Sequence, residues 1–119
     1  MGKHYKDLIA WQKAMDLVEA IYGLTDKFPK REVYSLTDQI RRAVVSVPSN
    51  IAEGQAHFNP REFLHFLRHS RGSLAELETQ ILIAQRLKYC DPNDITPILQ
   101  QIDELSRILS GLVNSLKEK

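Results

Sequence analysis

Seven apolar residues near the carboxyl end, Ile95, Ile98, Ile102, Leu105, Leu109, Leu112 and Leu116, step by three and four without exception. A strand alternates with a period of two, so this spacing demands a helix with one continuous apolar seam. Such a seam has to be covered, and the chain offers three more of the same kind. No alternating, β-rich segment accompanies them. Four amphipathic helices with short connections predict an all-α, antiparallel up-and-down four-helix bundle, formed as one domain over residues 1–119.

Between Lys6 and Phe28 the apolar residues form two rows. Leu8, Trp11, Met15, Val18 and Tyr22 make the first, and Ala14, Leu17, Ile21, Leu24 and Phe28 the second. One seam is enough for a helix packed on one side. Two predict two contact surfaces, the bundle core and a partner outside it; Ala14, Leu17, Ile21, Leu24 and Phe28 are taken as the oligomer interface. Pro29 stops this helix. The second helix is predicted to start near Val33–Ser35, with Ser35 and Asp38 as its cap, and to run to Gly54, a residue suited to the left-handed position past a helix end.

Within that helix lies Arg41–Gly54, apolar at Val44, Val47 and Ile51 and interrupted by Pro48. A helix-interior proline removes a donor and crowds the carbonyl four residues back, at a cost of ~3 kcal/mol. Ser46, Ser49 and Asn50 are placed to satisfy freed carbonyls, and both a kink and a break at Pro48 stay open. The row Arg42, Ser46, Ser49 and Glu53 is polar throughout. Buried against Ser70 and Ser73 it would fix helix register, the preferred reading; exposed, it would be a binding strip.

Asn59-Pro60-Arg61-Glu62 is a helix start in which Asn caps and Pro takes the first position. The third helix runs to about Tyr89 along Phe63, Leu67, Ser70, Leu74, Leu77, Ile81 and Ala84. Gly72, costing ~1 kcal/mol against Ala in a helix, predicts a close helix–helix approach. Asp91-Pro92 opens the last helix, and Pro97 falls in its first turns.

The composition, 43% hydrophobic and 26% charged over 119 residues, is that of a soluble globular protein. A net charge of +1 provides no global field toward nucleic acid or anionic lipid. The single cysteine, Cys90, excludes an internal disulfide framework and fits a reducing compartment. The polar start Met-Gly-Lys-His is not a secretory leader, and no apolar run approaches the ~20 residues of a membrane span. The chain is expected to be cytoplasmic, with no membrane partner.

Several stretches together resemble the four-helix bundle proteins also called large-subunit ribosomal RNA intervening-sequence proteins. They are Asp7-Leu8-Ile9-Ala10-Trp11-Gln12-Lys13-Ala14, Leu36 to Ala43, Val47-Pro48-Ser49-Asn50-Ile51-Ala52-Glu53-Gly54, and Gly72-Ser73-Leu74-Ala75-Glu76-Leu77-Glu78-Thr79-Gln80. The resemblance covers nearly the whole chain and weakens after Tyr89. It implies a left-handed four-helix bundle assembled as a homopentamer, whose family takes its name from genes within ribosomal RNA inserts. A related accessory protein of diversity-generating retroelements looks like a pentameric barrel that binds nucleic acid and a reverse transcriptase. A pentamer also calls for the second apolar surface that the first helix offers.

Nothing in the residues points to an enzyme. Glu62 and His65 have the Glu-x-x-His spacing of di-iron bundles, but no second pair exists. His65 and His69 lie one turn apart without the glutamate of a His-Glu-x-x-His site, since position 66 is Phe. No glycine-rich phosphate loop is present, and Cys90 reads as a packed or idle thiol. No catalytic residue, metal or cofactor is expected.

Charge is more informative. Residues 41–73 hold Arg41, Arg42, Arg61, Arg68 and Arg71 against Glu53 and Glu62, an excess of +3, whereas residues 91–119 carry −2. Arginine favours bidentate phosphate contacts, and several copies around an axis would multiply them. These five arginines are the candidate nucleic-acid contacts, with RNA or an RNA-containing complex as the partner. Two alternatives stand beside this: the arginines pair with acids such as Glu53 or Glu76, or the chain is a structural, protein-recruiting homo-oligomer.

Overall fold

A computed structural model of the chain describes residues 4–117. Met1–Lys3, part of the polar start, and Glu118 and Lys119, counted in the carboxyl-terminal charge, lie outside the described residues. Four helices are present: α1 (Ile9–Thr25), α2 (Leu36–Ala56), α3 (Pro60–Arg86) and α4 (Pro92–Lys117). Short 3-10 turns at Tyr5–Asp7 and Lys30–Glu32 accompany them, with no strand among the described residues. The 27 residues of α3 rise ~40 Å at 1.5 Å each. That nearly fills the 46 Å long axis, while a cross-section of 23 × 20 Å fits helices packed two by two.

Each helix packs on its sequence neighbours, and α1 closes the ring against α4; the diagonal pairs do not approach one another. Residue numbers that rise along one helix fall along its neighbour. On α2 and α3, Val47 meets Ser70 while Gly54 meets Phe63 and Phe66. Between α1 and α4, Lys13 pairs with Glu104 at 3.4 Å, and Lys27, just past the end of α1, pairs with Asp94 at 3.8 Å. Both contacts therefore run antiparallel, and the architecture is the expected all-α four-helix bundle.

One expectation about the core is reversed. Ala14, Leu17, Ile21, Leu24 and Phe28, taken from the sequence as an oligomer interface, are 0–7% exposed within the single chain. They face Ile40, Val44, Val47 and Ile51 of α2, Leu67, Leu74, Leu77 and Ile81 of α3, and the α4 isoleucines in one buried cluster. The other row looks outward: Leu8, Trp11 and Val18 are half-buried and Met15 and Tyr22 exposed. Periodicity gives the angle between two rows, not which of them points inward. At the end of α4, Leu112 and Leu116 are only half-buried at the edge of the core, and Val113 takes the buried position. A straight helix drifts ~20° per heptad, so a strict three-four row cannot stay on one face for its whole length.

The second helix passes through Pro48 unbroken. Ser46 donates to the Ala43 carbonyl at 2.7 Å, Ser49 to Val45 at 2.8 Å and Asn50 to Ser46 at 2.8 Å; all three bond carbonyls flanking the proline turn, but none takes the Val44 carbonyl that Pro48 itself frees. Because these side chains find acceptors on their own helix, the polar row does not pack against α3. Arg42, Ser49 and Glu53 are exposed and Ser46 is half-buried. The buried polar bond between helices comes instead from Ser70, fully enclosed, which donates to the Val47 carbonyl at 2.9 Å.

Both glycine readings change. Gly54 lies inside α2 with an ordinary helical backbone, and Phe58, at φ 53°, is the left-handed residue that turns the chain toward α3. A Cβ at Gly54 would stand 2.8 Å from Phe66 Cβ and 3.1 Å from the Phe63 ring. Gly54, not Gly72, is the close-approach glycine. The cap of α2 also differs: Ser35 makes no capping bond, and Glu32 Oε1 accepts from the Leu36 amide at 3.2 Å. At α3, Asn59 Oδ1 accepts from the amides of Arg61 and Glu62 at 2.9 and 3.2 Å, as expected. At α4, Asp91 and Asp94 accept reciprocally from each other's amides at 3.1 Å, a short capping box.

Glu32 also joins the two connectors at this end of the bundle. Tyr89 donates its hydroxyl to Glu32 Oε2 at 2.7 Å, and Arg31 lies 5.7 Å over the Tyr89 ring. The Tyr89 hydroxyl, and after it the Leu36 amide, hold the Glu32 carboxyl below its ordinary 4.5. The same bond holds the Tyr89 phenol above its ordinary 10.0. The depressed carboxyl contributes stability above pH 4.5 that is lost as pH falls through its folded value. The raised phenol contributes stability below pH 10 that is lost as pH rises through its folded value.

Two measurements test this packing. Gly54→Ala is expected to lower stability by ~1–3 kcal/mol through overpacking against Phe63 and Phe66, read as a lower urea midpoint at constant m. Tyr89→Phe should narrow the pH–stability profile's difference from wild type at both ends and leave a constant offset between. Parallel profiles across the whole range would refute the link.

Candidate nucleic-acid interface

The corner between α2 and α3 sets the direction of the basic face. The Asn59 cap and Pro60 at the first position fix where α3 begins. Gly54 against Phe63 and Phe66 fixes its distance from α2, and His57 stacks on the Phe66 ring at 5.4 Å with the planes only 9° apart. From this start, Arg61, His65, Arg68, His69 and Gly72 follow at helical spacing along one outer face, all exposed. His65 and His69 lie edge to face at 4.6 Å. Arg71 is exposed one step round the helix, toward α4.

The five candidate arginines separate into two groups. Arg41 is structural: its Nε donates to Thr25 Oγ1 at 2.8 Å, its guanidinium pairs with Asp26 at 2.9 Å, and it lies 4.5 Å over the Tyr22 ring. Only 26% of its side chain is exposed. Arg42 pairs with Asp38 at 2.9 Å, not with Glu53 or Glu76, in an exposed i,i+4 contact of ~0.3–0.5 kcal/mol. Arg61, Arg68 and Arg71 have no acidic partner among the described residues. The sequence window thus combined two paired arginines with three that have no acidic partner among the described residues, and only the packing separates them.

Two hollows flank Arg68 and Gly72. The larger, about 440 Å³, lies between α3 and α4 and reaches Arg71, Glu78, Asp103 and Ser106. The other, about 380 Å³, is lined by α3 alone and reaches His65, His69, Ser73 and Glu76. Asp103 is tied to Arg107 at 3.1 Å, and Glu76 accepts from Gln80 at 3.0 Å. The cations thus cluster toward the amino-terminal half of α3 and the carboxylates beyond residue 75. Ser106 could not be placed here from sequence, because nothing local reveals which α3 turn an α4 residue faces.

The model of the 23S rRNA-intervening sequence protein family matches residues 6–111. The chain belongs to this family. No curated protein matches it. In this family member the match takes in all of α1, α2 and α3 and most of α4, so the basic face lies wholly inside the shared fold.

Other chemistry has less support on this surface. Among the described residues, no group of three or more His, Cys, Asp or Glu could hold a metal ion. Burial, followed by Asp94 and Asp91, pushes the Cys90 thiol up and away from the thiolate. No described helix is long and apolar enough to cross a membrane.

The division of the arginines has a direct measurement. Arg41→Ala is expected to lower the thermal midpoint, because it leaves Thr25 and Asp26 without their partner. Arg68→Ala and Arg71→Ala should stay within ~0.5 kcal/mol of wild type.

Proposed function

We propose that the chain is a non-enzymatic cytoplasmic scaffold that self-associates and binds RNA, or an RNA-containing complex, through the outer face of α3. The observation that carries this reading is the set of three arginines, Arg61, Arg68 and Arg71, exposed and without an acidic partner among the described residues. The family, named for intervening sequences of 23S ribosomal RNA, supplies the RNA context. With a net charge of +1, one copy makes few phosphate contacts. Repeating the face around an axis is what would make such contacts count.

Self-association would use the outward row of α1. Leu8, Trp11, Met15, Val18 and Tyr22 form this row, and Val45 is exposed on the neighbouring α2. The homopentamer implied by the sequence resemblance is the expected assembly. A second reading, a protein-recruiting oligomer without nucleic acid, is favoured by exposed Leu82 and Ile83 on the distal half of α3 and Leu87 just past its end.

A gel-shift titration at two salt concentrations tests the RNA reading, with light scattering on the same samples for mass. Substituting Arg61, Arg68 and Arg71 together by Ala should weaken binding and flatten its salt dependence by roughly 0.7–0.9 in log–log slope per lost phosphate contact. Binding that ignores both salt and substitution, or no binding by wild type, rejects it.

A further inference from the structure

Gly72 has no structural reason to be glycine. It lies deep inside α3, with twelve helical residues before it and fourteen after. A glycine there weakens the helix by ~1 kcal/mol relative to alanine. Its backbone is ordinary, since no described glycine has positive φ, and a Cβ there, as at Gly23 and Gly111, would meet nothing within 4 Å. The close approach that would justify a glycine occurs at Gly54 instead. What sets Gly72 apart is that it lines both hollows, with Arg68 beside it in each. Because the two share these residues they adjoin at position 72 as one shallow trough over the outside of α3, and a longer residue there would stand between them.

The charges around this trough are graded. Arg68, Arg71, His65 and His69 stand on its amino-terminal side, and Glu76, Glu78 and Asp103 on the other. An anionic chain would be drawn to the first side and repelled from the second, which confines its path to the level of residue 72. We propose that Gly72 is the crossing point of a phosphodiester backbone, which passes over bare helix there with a phosphate between Arg68 and Arg71. A glycine permits close backbone approach to a ligand, and two guanidiniums can bridge phosphate oxygens. This rests on the RNA-binding reading and adds where the strand runs and which residue admits it. Contacts of this kind read backbone rather than base, so binding is largely indifferent to sequence.

The test separates stability from binding, which move in opposite directions. Gly72→Ala, Gly72→Gln and Gly72→Leu are compared with wild type for urea midpoint, mass by light scattering, and affinity for a labelled oligouridylate and an RNA duplex of equal length. All three substitutions should raise the midpoint, because the space is open and the residues favour helix. Gly72→Gln and Gly72→Leu should weaken RNA binding at least tenfold with mass unchanged, while Gly72→Ala stays within about threefold. Loss on the oligouridylate alone assigns the trough to a single strand, and loss on the duplex assigns it to a helix edge. If wild type binds and Arg68→Ala weakens binding, but Gly72→Leu does not, the crossing point is wrong and the RNA reading stands. If wild type binds neither probe, both fall. If Gly72→Leu changes the mass, the trough holds another copy of the chain and the inference is overturned.

Discussion

The antiparallel contact between α2 and α3 sets the geometry of everything else. It is made from small groups at close range: Gly54 without a Cβ beneath Phe63 and Phe66, and Ser70 with a hydroxyl short enough to reach the Val47 carbonyl. Large side chains on both helices would hold them farther apart. Close packing at these points fixes the rotation of α3 about its own axis, because Phe66 and Ser70 must face α2. Once that rotation is set, Arg61, His65, Arg68 and His69 have to point outward. The exposed basic face is thus a consequence of how the buried face is seated.

Pro48 belongs to the same arrangement. A proline in a helix interior leaves carbonyls exposed in a turn that would otherwise be closed. Ser46, Ser49 and Asn50 return side-chain donors to neighbouring carbonyls, and Ser70 adds a donor from across the interface at Val47, next to the proline. The helix stays continuous, so the core residues on either side of Pro48, Val44 and Ile51, remain on one buried face. A break there would have turned the far half of α2 and uncoupled Gly54 from Phe66.

The far end of the molecule is held differently. There the two connectors are joined by Glu32, which caps α2 and accepts from Tyr89, while Arg41 clamps the end of α1 through Thr25 and Asp26. An arginine spent on this clamp is unavailable to a ligand, even though it stands beside Arg42 in the sequence. Polar groups thus do two kinds of work in one small bundle. Glu32, Tyr89 and Arg41 at the connector end are partnered and structural, whereas Arg61, Arg68 and Arg71 on the outside of α3 are left to solvent.

The apolar periodicity, the proline and glycine punctuation and the Asn59-Pro60 start were enough to define four helices, their order and most of the core, since these are properties of short stretches of chain. The burial of Leu67, Ser70, Leu74, Leu77, Ile81 and Ala84 was readable for that reason. What sequence could not decide was every choice between two equally periodic alternatives. It could not say which row of α1 enters the core, whether Gly54 or Gly72 lies at the close approach, or which of five arginines is paired. Each depends on the rotation of one helix against another, and that rotation is fixed only when side chains far apart in the chain interlock. Tertiary packing alone sent Leu17 inward and Tyr22 outward, tied Arg41 to Thr25, and left Gly72 bare between two hollows.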